Sequence, residues 1–152
     1  QAVIGISDVP VFVGVGGGIT GGDRSVRLAI EAENQGAFGV VVNAPISNEV
    51  ISRIKEVVDI PVIATIVSDR MDIRSRIEAG ADFLNVSGAS ATPQIVRNIR
   101  AQFPDVPILA TGGPNEETIL QTIRAGANAI TYSPPSNGEL FANIMQKYRG
   151  KL

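Results

Sequence analysis

Two glycine-containing connections near the C-terminus have the composition of an anion site. Thr111-Gly112-Gly113 lies between a predicted strand and a predicted helix, and the next such connection holds Ser133, Asn137 and Gly138. Glycine leaves backbone N–H groups accessible, and the start of a helix attracts negative charge through its dipole. The alternative is that the two glycines only form a tight turn. The predicted phosphate-binding residues are therefore Thr111, Gly112, Gly113, Ser133, Asn137 and Gly138.

A second group of candidates is uncharged and able to form hydrogen bonds. Its members lie near the ends of predicted strands, and strand alternation puts their side chains on the face opposite the apolar one. Such groups recognise a polar ligand well but transfer protons poorly. The alternative is that these small polar side chains satisfy one another. We expect Asn43, Thr65, Ser87 and Thr131 to bind ligand, and Asn85 to take part in catalysis.

Asp69 and Arg70 are charged candidates that directly follow a predicted strand. Asp69 is predicted to act as an acid or base in catalysis, and Arg70 to hold an anionic ligand. The alternative for Asp69 is that its carboxylate caps the helix that follows.

Residues 16–22 form the most glycine-rich part of the chain. Because glycine allows a backbone to approach a ligand closely, Gly17 and Gly18 are predicted to bind ligand or to move as part of a lid. The alternative is an ordinary flexible linker.

The composition excludes several kinds of catalytic site and binding partner. The chain has no cysteine and no histidine, which excludes a thiolate nucleophile, a Cys-zinc site and Ser-His machinery within these 152 residues. The commonest metal ligand, histidine, is also missing, and we predict no metal site. The net charge of −2 predicts no binding to nucleic acid or to a membrane surface. No apolar run approaches the roughly 20 residues of a membrane span, so a cytoplasmic location is the default expectation.

Two short motifs repeat along the chain and define its architecture. An Asp-x-Pro motif begins at positions 8, 59 and 105, and a Gly-Ala pair at 36, 80 and 126, so one unit is about 46 residues long. Each motif precedes a short apolar run rich in β-branched residues, as expected for a strand. The predicted strands are Val11–Val15, Val40–Asn43, Val62–Val67, Phe83–Ser87, Ile108–Thr111 and Ile130–Ser133.

Six strand-plus-helix modules in one domain, residues 1–152, predict an α/β fold of the TIM-type (βα)8 barrel class. Closure of that barrel needs eight modules, so we expect an N-terminal quarter to precede residue 1 and the six strands to be barrel strands 3 to 8. The alternative is a complete open sheet of six strands. In either case strand edges would be exposed, which predicts a covering segment or partner, for example a homo-oligomer.

Two parts of the chain resemble a known group of barrel enzymes. Pro107–Gly113, followed by Ala125–Ile130, resembles the phosphate-binding half of the barrel superfamily that includes nitronate monooxygenases, inosine-monophosphate dehydrogenases, thiazole synthases and 2-keto-3-deoxy-phosphogluconate aldolases. Pro61–Ser68, followed by Ile77–Phe83, is most similar to nitronate monooxygenases, which hold FMN. The resemblance implies a phosphate-binding barrel with FMN as a candidate cofactor. Where a nitronate monooxygenase would carry a histidine, this chain has Ala89-Ser90-Ala91.

Three functions follow from these observations. The first is a metabolic enzyme that binds a small phosphorylated or carboxylated metabolite at the C-terminal rim of the barrel. The second is an FMN-dependent oxidoreductase of the nitronate monooxygenase type. The third is a sensor that binds a phosphorylated metabolite without turnover, which the shortage of proton-transfer groups favours.

Overall fold

The computed structural model describes residues 2–113 and 115–150, in which strands and helices alternate. The strands in this part of the chain are β1 Phe12–Gly14, β2 Gly39–Val42, β3 Val62–Ile66, β4 Phe83–Val86, β5 Ile108–Thr111 and β6 Ala129–Thr131. Its α-helices are α1 Ala2–Ile6, α2 Asp23–Asn34, α3 Asn48–Lys55, α4 Ile73–Glu78, α5 Thr92–Gln102, α6 Glu116–Arg124 and α7 Asn137–Arg149. A short 3₁₀ helix, Ala89–Ala91, precedes α5.

The six strands form one parallel sheet whose spatial order is the same as the chain order, from β1 to β6. In this register Val40 lies opposite Val62, and Leu84 lies opposite Ile108. A doubly wound open sheet would instead reverse its strand order near the middle. The sheet curls as part of a barrel wall with β1 and β6 at its edges, which confirms the predicted TIM-type architecture.

All six predicted strands are present, and their ends lie within two residues of the prediction. Five strands end one or two residues before the predicted end, and β1, β2 and β6 begin one residue away from the predicted start. Asn43, Ser87 and Ser133 lie just beyond β2, β4 and β6, in the connections rather than in the sheet. In a parallel barrel these connections form the rim that carries ligand sites.

The core lies between the convex face of the sheet and the helices. Strand residues of one parity, such as Val40, Leu84 and Ala110, are fully buried there together with Ile54 and Ile99 from α3 and α5. Burial of each large side chain contributes about 1.5–3 kcal/mol. Residues of the other parity face the concave side, and most of them are half-buried.

One hydrogen-bonding pattern, which we call the clamp, occurs twice between neighbouring strands of the sheet. One oxygen of Asp82 accepts hydrogen bonds from the backbone N–H of Val62 and from Nζ of Lys55, both at 2.8 Å. One repeat later, Oδ1 of Asn128 accepts from the N–H of Ile108 at 2.9 Å and from a guanidinium N–H of Arg100 at 2.8 Å. Each amide or carboxylate therefore caps the first residue of the preceding strand and holds the helix that covers it.

The backbone conformation shortly before each clamp residue requires a glycine. Gly80 and Gly126 have φ values of +108° and +109°, in the left-handed region that glycine adopts at low cost. A Cβ on Gly80 would also lie 2.9 Å from Cβ of Lys55. Both glycines thus follow the end of a helix and turn the chain toward the clamp residue.

The last helix is the least covered part of the described chain. Leu140, Phe141, Ile144 and Tyr148 form a stripe along α7, and between 45% and 69% of each residue is exposed. The covering segment or partner predicted for the exposed strand edges stays a prediction. None of the helices in residues 2–113 and 115–150 is long and apolar enough to cross a membrane.

Candidate functional site

A cavity of about 680 Å³ opens at the rim of the sheet between the β5–α6 and β6–α7 connections. Both predicted phosphate loops contribute to it, through Thr111 and Gly113 on one side and Ser133 on the other. The structure therefore brings the two segments together, although Pro114 in the first of them lies outside the described residues. The cavity is lined by Thr111, Gly113, Asn115, Glu116, Ile119, Tyr132, Ser133, Pro134, Pro135 and Glu139.

Gly112 and Gly113 are both required by the local packing. A Cβ on Gly112 would lie 2.5 Å from Cγ2 of Ile130 and 2.7 Å from Cγ1 of Ile119, so no side chain fits between β6 and α6. Gly113 has a φ of +81°, and a Cβ there would lie 2.6 Å from Oγ1 of Thr118. The tight turn of the alternative interpretation is present, and it places Gly113 in the wall of the cavity.

The start of α6 is capped by side chains, which leaves two amides of its first turn for other acceptors. Oδ1 of Asn115 accepts from the N–H of Thr118 at 3.0 Å, and the Thr118 hydroxyl donates to the carbonyl of Asn115 at 2.8 Å. The cap does not use the N–H groups of Glu116 and Glu117, which also have no partner within the helix. Of these two residues Glu116 lines the cavity, and Glu117 follows it in the same helical turn.

The start of α7 already holds a negative charge. The Glu139 carboxylate accepts hydrogen bonds from both the N–H and the hydroxyl of Ser136, each at 2.7 Å. These bonds to Ser136 lower the pKa of Glu139 below its usual value. Asn137 and Gly138 are the first two residues of this helix and are exposed. A phosphate at Asn137 and Gly138 would therefore compete with Glu139 for the same end of the helix dipole.

The carboxylate of Glu139 is a site feature that the sequence interpretation missed. Its signal was present, because Ser136 and Glu139 have the Ser-x-x-Glu spacing of a capping box.

The polar side chains of the concave face partly satisfy one another. Nδ2 of Asn85 donates to Oγ1 of Thr65 at 3.3 Å, and the Thr111 hydroxyl donates to Oγ of Ser87 at 3.2 Å. The Thr131 hydroxyl donates to a backbone carbonyl at 3.5 Å. These bonds keep the groups oriented toward the concave side, and each oxygen retains capacity to accept from a ligand.

Asp69 and Arg70 lie away from the phosphate cavity. Oδ2 of Asp69 accepts from Nδ2 of Asn98 at 3.0 Å, so this carboxylate contacts the middle of α5. The α4 helix is capped by Asp72, whose Oδ1 accepts from the N–H of Ser75 at 3.1 Å, and the capping alternative for Asp69 is wrong. Arg70 is exposed in the β3–α4 connection.

The glycine-rich connection after β1 packs against the connection after β2. Gly16 accepts a backbone hydrogen bond from Asn43 at 2.8 Å, and the N–H of Gly17 donates to Thr20 within the loop. Gly17 has a φ of +114°, and a Cβ there would lie 2.9 Å from the backbone of Asn43. Gly18 has open space around it. Gly17 thus brings two rim connections into contact, and its role in ligand binding stays a prediction.

Comparison with known proteins places the fold among barrel enzymes. No protein-family model matches the chain. Thiamine-phosphate synthase from Geobacillus thermodenitrificans (strain NG80-2) is 27% identical over 124 residues, which cover 74% of this chain and 53% of that protein. The chain thus spans about half the length of the curated relative that it matches.

Several solved structures superpose on this chain. A candidate phosphonomutase from Burkholderia cenocepacia J2315 superposes with a TM-score of 0.65 at 18% identity, over 95% of this chain and 68% of that one. The N-acetylmannosamine-6-phosphate 2-epimerase from Clostridium perfringens gives 0.63 at 16% identity, over 90% and 70%. Mandelate oxidase with an FMN adduct gives 0.58 at 21% identity, over 72% and 44%. The predicted resemblance is confirmed at the level of fold: the chain folds as part of a TIM-type (βα)8 barrel.

Proposed function

We propose that this chain binds the phosphate group of a small phosphorylated metabolite at the carboxyl ends of β5 and β6, as part of a metabolic enzyme. The observation that carries the proposal is the cavity in which Gly113 and the start of α6 face Ser133. Two of the similar proteins, a thiamine-phosphate synthase and an N-acetylmannosamine-6-phosphate epimerase, have names that include a phosphorylated molecule. The rim of a barrel after its last two strands is a common place for phosphate.

The donors in this cavity are backbone amides and hydroxyls. Ser133 supplies an O–H group, Gly113 supplies a backbone N–H, and Glu116 at the start of α6 adds a further amide, while the O–H of Thr111 would have to leave Ser87 to reach a phosphate. No lysine or arginine is among the described residues that line the cavity. Binding would therefore depend on directed hydrogen bonds and the helix dipole rather than on paired charge.

The reacting part of the metabolite would lie over the concave face. Asn85, Thr65 and Ser87 could orient it and stabilise developing charge by hydrogen bonds, while none of them is a strong acid or base. A carboxylate in place of the phosphate could use the same amides, so a carboxylated metabolite is the alternative ligand. Asp69 as acid or base and Arg70 as anion ligand stay predictions, since the Asp69 carboxylate contacts Asn98 and each side chain would have to turn toward the concave face.

Isothermal titration with inorganic phosphate and with glycerol phosphate tests the proposal. We expect Ser133→Ala to weaken both about fivefold, since one hydrogen bond at an exposed site contributes about 1 kcal/mol. Ser68→Ala is the matched control, because Ser68 lies at the rim after β3 and does not line this cavity. If wild type shows no binding at millimolar phosphate, or if both variants lose affinity equally, the proposed site is wrong.

An FMN-dependent oxidoreductase is the second candidate, favoured by the superposition with mandelate oxidase that carries an FMN adduct. The phosphate end of FMN fits the same residues, because Gly113 and Ser133 offer an N–H and an O–H that a phosphate monoester can use. When bound, the flavin would supply hydride or single-electron transfer. A yellow preparation with flavin absorbance would support this function, and a colourless protein that does not bind added FMN would exclude it.

The third candidate, a sensor without turnover, is favoured by the neutral character of the concave face. It shares the phosphate site with the enzyme. A protein that binds a phosphorylated metabolite tightly and leaves it chemically unchanged would support it.

A further inference from the structure

A second cavity of about 520 Å³ adjoins the phosphate cavity on the other side of the β5–α6 connection. Thr111 and Gly113 line both cavities, so the glycine turn forms the wall between them. The outer wall of the second cavity is formed by the 3₁₀ helix and the start of α5, through Ser90 and Pro93. A molecule anchored at the glycine turn can therefore extend into either space.

The second cavity differs from the first in its charge. The first contains the carboxylates of Glu116 and Glu139. Every described side chain that lines the second is uncharged. Because burying an unpaired charge costs several kcal/mol, a charged group would be disfavoured in the second cavity.

Two hydroxyl groups that line the second cavity form hydrogen bonds within the protein. Oγ1 of Thr92 accepts from the N–H of Gly88 at 2.9 Å, and the Thr122 hydroxyl donates to the carbonyl of Thr118 at 2.8 Å. Both threonines are 1% exposed. The bond to Thr118 leaves Thr122 without a free hydroxyl hydrogen, and Pro93 adds an apolar surface.

A few polar groups lie at the edge of the second cavity, where a ligand could contact them. Nε2 of Gln121 donates to Glu117 at 3.3 Å, which leaves the amide oxygen of Gln121 to accept from a ligand N–H or O–H. Ser90 is exposed at the opposite edge. Its position follows from Ala89, which has a φ of +51°, a left-handed conformation that is uncommon outside glycine, asparagine and aspartate. An apolar interior with a few polar groups at the edge is the usual composition of a small-molecule pocket.

We propose that the second cavity binds an uncharged, ring-sized organic group of the same ligand whose phosphate lies against the glycine turn. This inference rests on the proposed phosphate site and adds the ligand class: a phosphate monoester of a neutral ring compound, rather than a bisphosphate or a phosphorylated sugar acid. The volume of about 520 Å³ is within the range of pockets that enclose a ring system.

Phenyl phosphate and inorganic phosphate are the probes that separate the two sites. We expect wild type to bind phenyl phosphate at least about tenfold more tightly than inorganic phosphate, a difference of 1.4 kcal/mol. Ser90→Phe fills the second cavity and should remove this preference while leaving inorganic phosphate unchanged. Ala91→Phe is the matched control, since Ala91 is the exposed neighbour that does not line the cavity, and it should bind both probes as wild type does.

The outcomes distinguish this inference from the function on which it rests. If neither probe binds, the proposed phosphate site is wrong, and the ring subsite that depends on it is wrong as well. If wild type binds both probes with equal affinity, the phosphate site is supported and the ring subsite is wrong. As a measurement that needs no variant, nuclear Overhauser contacts from the phenyl protons should reach the Thr122 methyl group. Contacts to Tyr132 instead would put the ring in the first cavity and overturn the inference.

Discussion

Replacing Asp82 tests whether the repeated clamp holds the sheet in register. Its carboxylate is the acceptor for the N–H of Val62, a residue with no exposed surface, so water cannot replace the bond after Asp82→Ala. An unsatisfied buried donor costs about 1–3 kcal/mol. The ion pair with Lys55 adds little, because the two side chains are 34% and 36% exposed and such pairs contribute about 0–1 kcal/mol. We expect Asp82→Ala to lower the free energy of unfolding by about 2 kcal/mol.

Asn128, the equivalent residue one repeat later, indicates the control variant for Asp82→Ala. Asn128 makes the same two contacts with an amide oxygen, so Asp82→Asn should keep the backbone bond and lose only the charge. The expected cost of Asp82→Asn is less than about 1 kcal/mol. Urea unfolding followed by circular dichroism measures both, and the alanine variant should melt about 4–8 °C below wild type in a chain of this length. Equal losses for the two variants, or an alanine cost below about 0.5 kcal/mol, would refute the clamp.

Three further changes test the rim connections. Gly112→Ala should destabilise the protein by about 2 kcal/mol or more, because its Cβ would lie 2.5 Å from Ile130; an unchanged melting temperature would contradict the packing. Ala89→Gly should raise the melting temperature slightly, since glycine relieves a left-handed conformation that costs alanine about 1–2 kcal/mol; destabilisation would contradict this. The lowered pKa of Glu139 means that its stabilisation of α7 is present above the unfolded value of about 4.3 and is lost as pH falls through the lower folded value. In an NMR titration Ser136→Ala should raise the Glu139 midpoint toward that unfolded value, and an unchanged midpoint would contradict the assigned hydrogen bonds.

The strands were predictable because each is a short β-branched run with glycine or proline at its boundaries. The phosphate cavity was predictable in part, since a barrel brings successive connections to one rim and both glycine segments lie in such connections. Asn43, Ser87 and Ser133 were assigned to strands because alternation continues through them, although the ladder hydrogen bonds end earlier.

What could not be predicted depends on contacts between distant parts of the chain. Asp69 and Asp72 are both acceptable caps for α4 by sequence, and the partner that holds Asp69, Asn98, is 29 residues away. The left-handed Ala89 has no local signal, because alanine normally avoids that conformation. The second cavity follows from how α5 and α6 pack, which a sequence pattern does not specify.

The central claim is that backbone amides after β5 hold a phosphate group. A titration of isotopically labelled protein with inorganic phosphate, followed by amide NMR shifts, tests it without any substitution. The account predicts saturable shifts that are largest at Gly113, Glu116 and Glu117, with smaller ones at Ser133. Shifts confined to the connections after β2 and β3, or none at saturating phosphate, would contradict it.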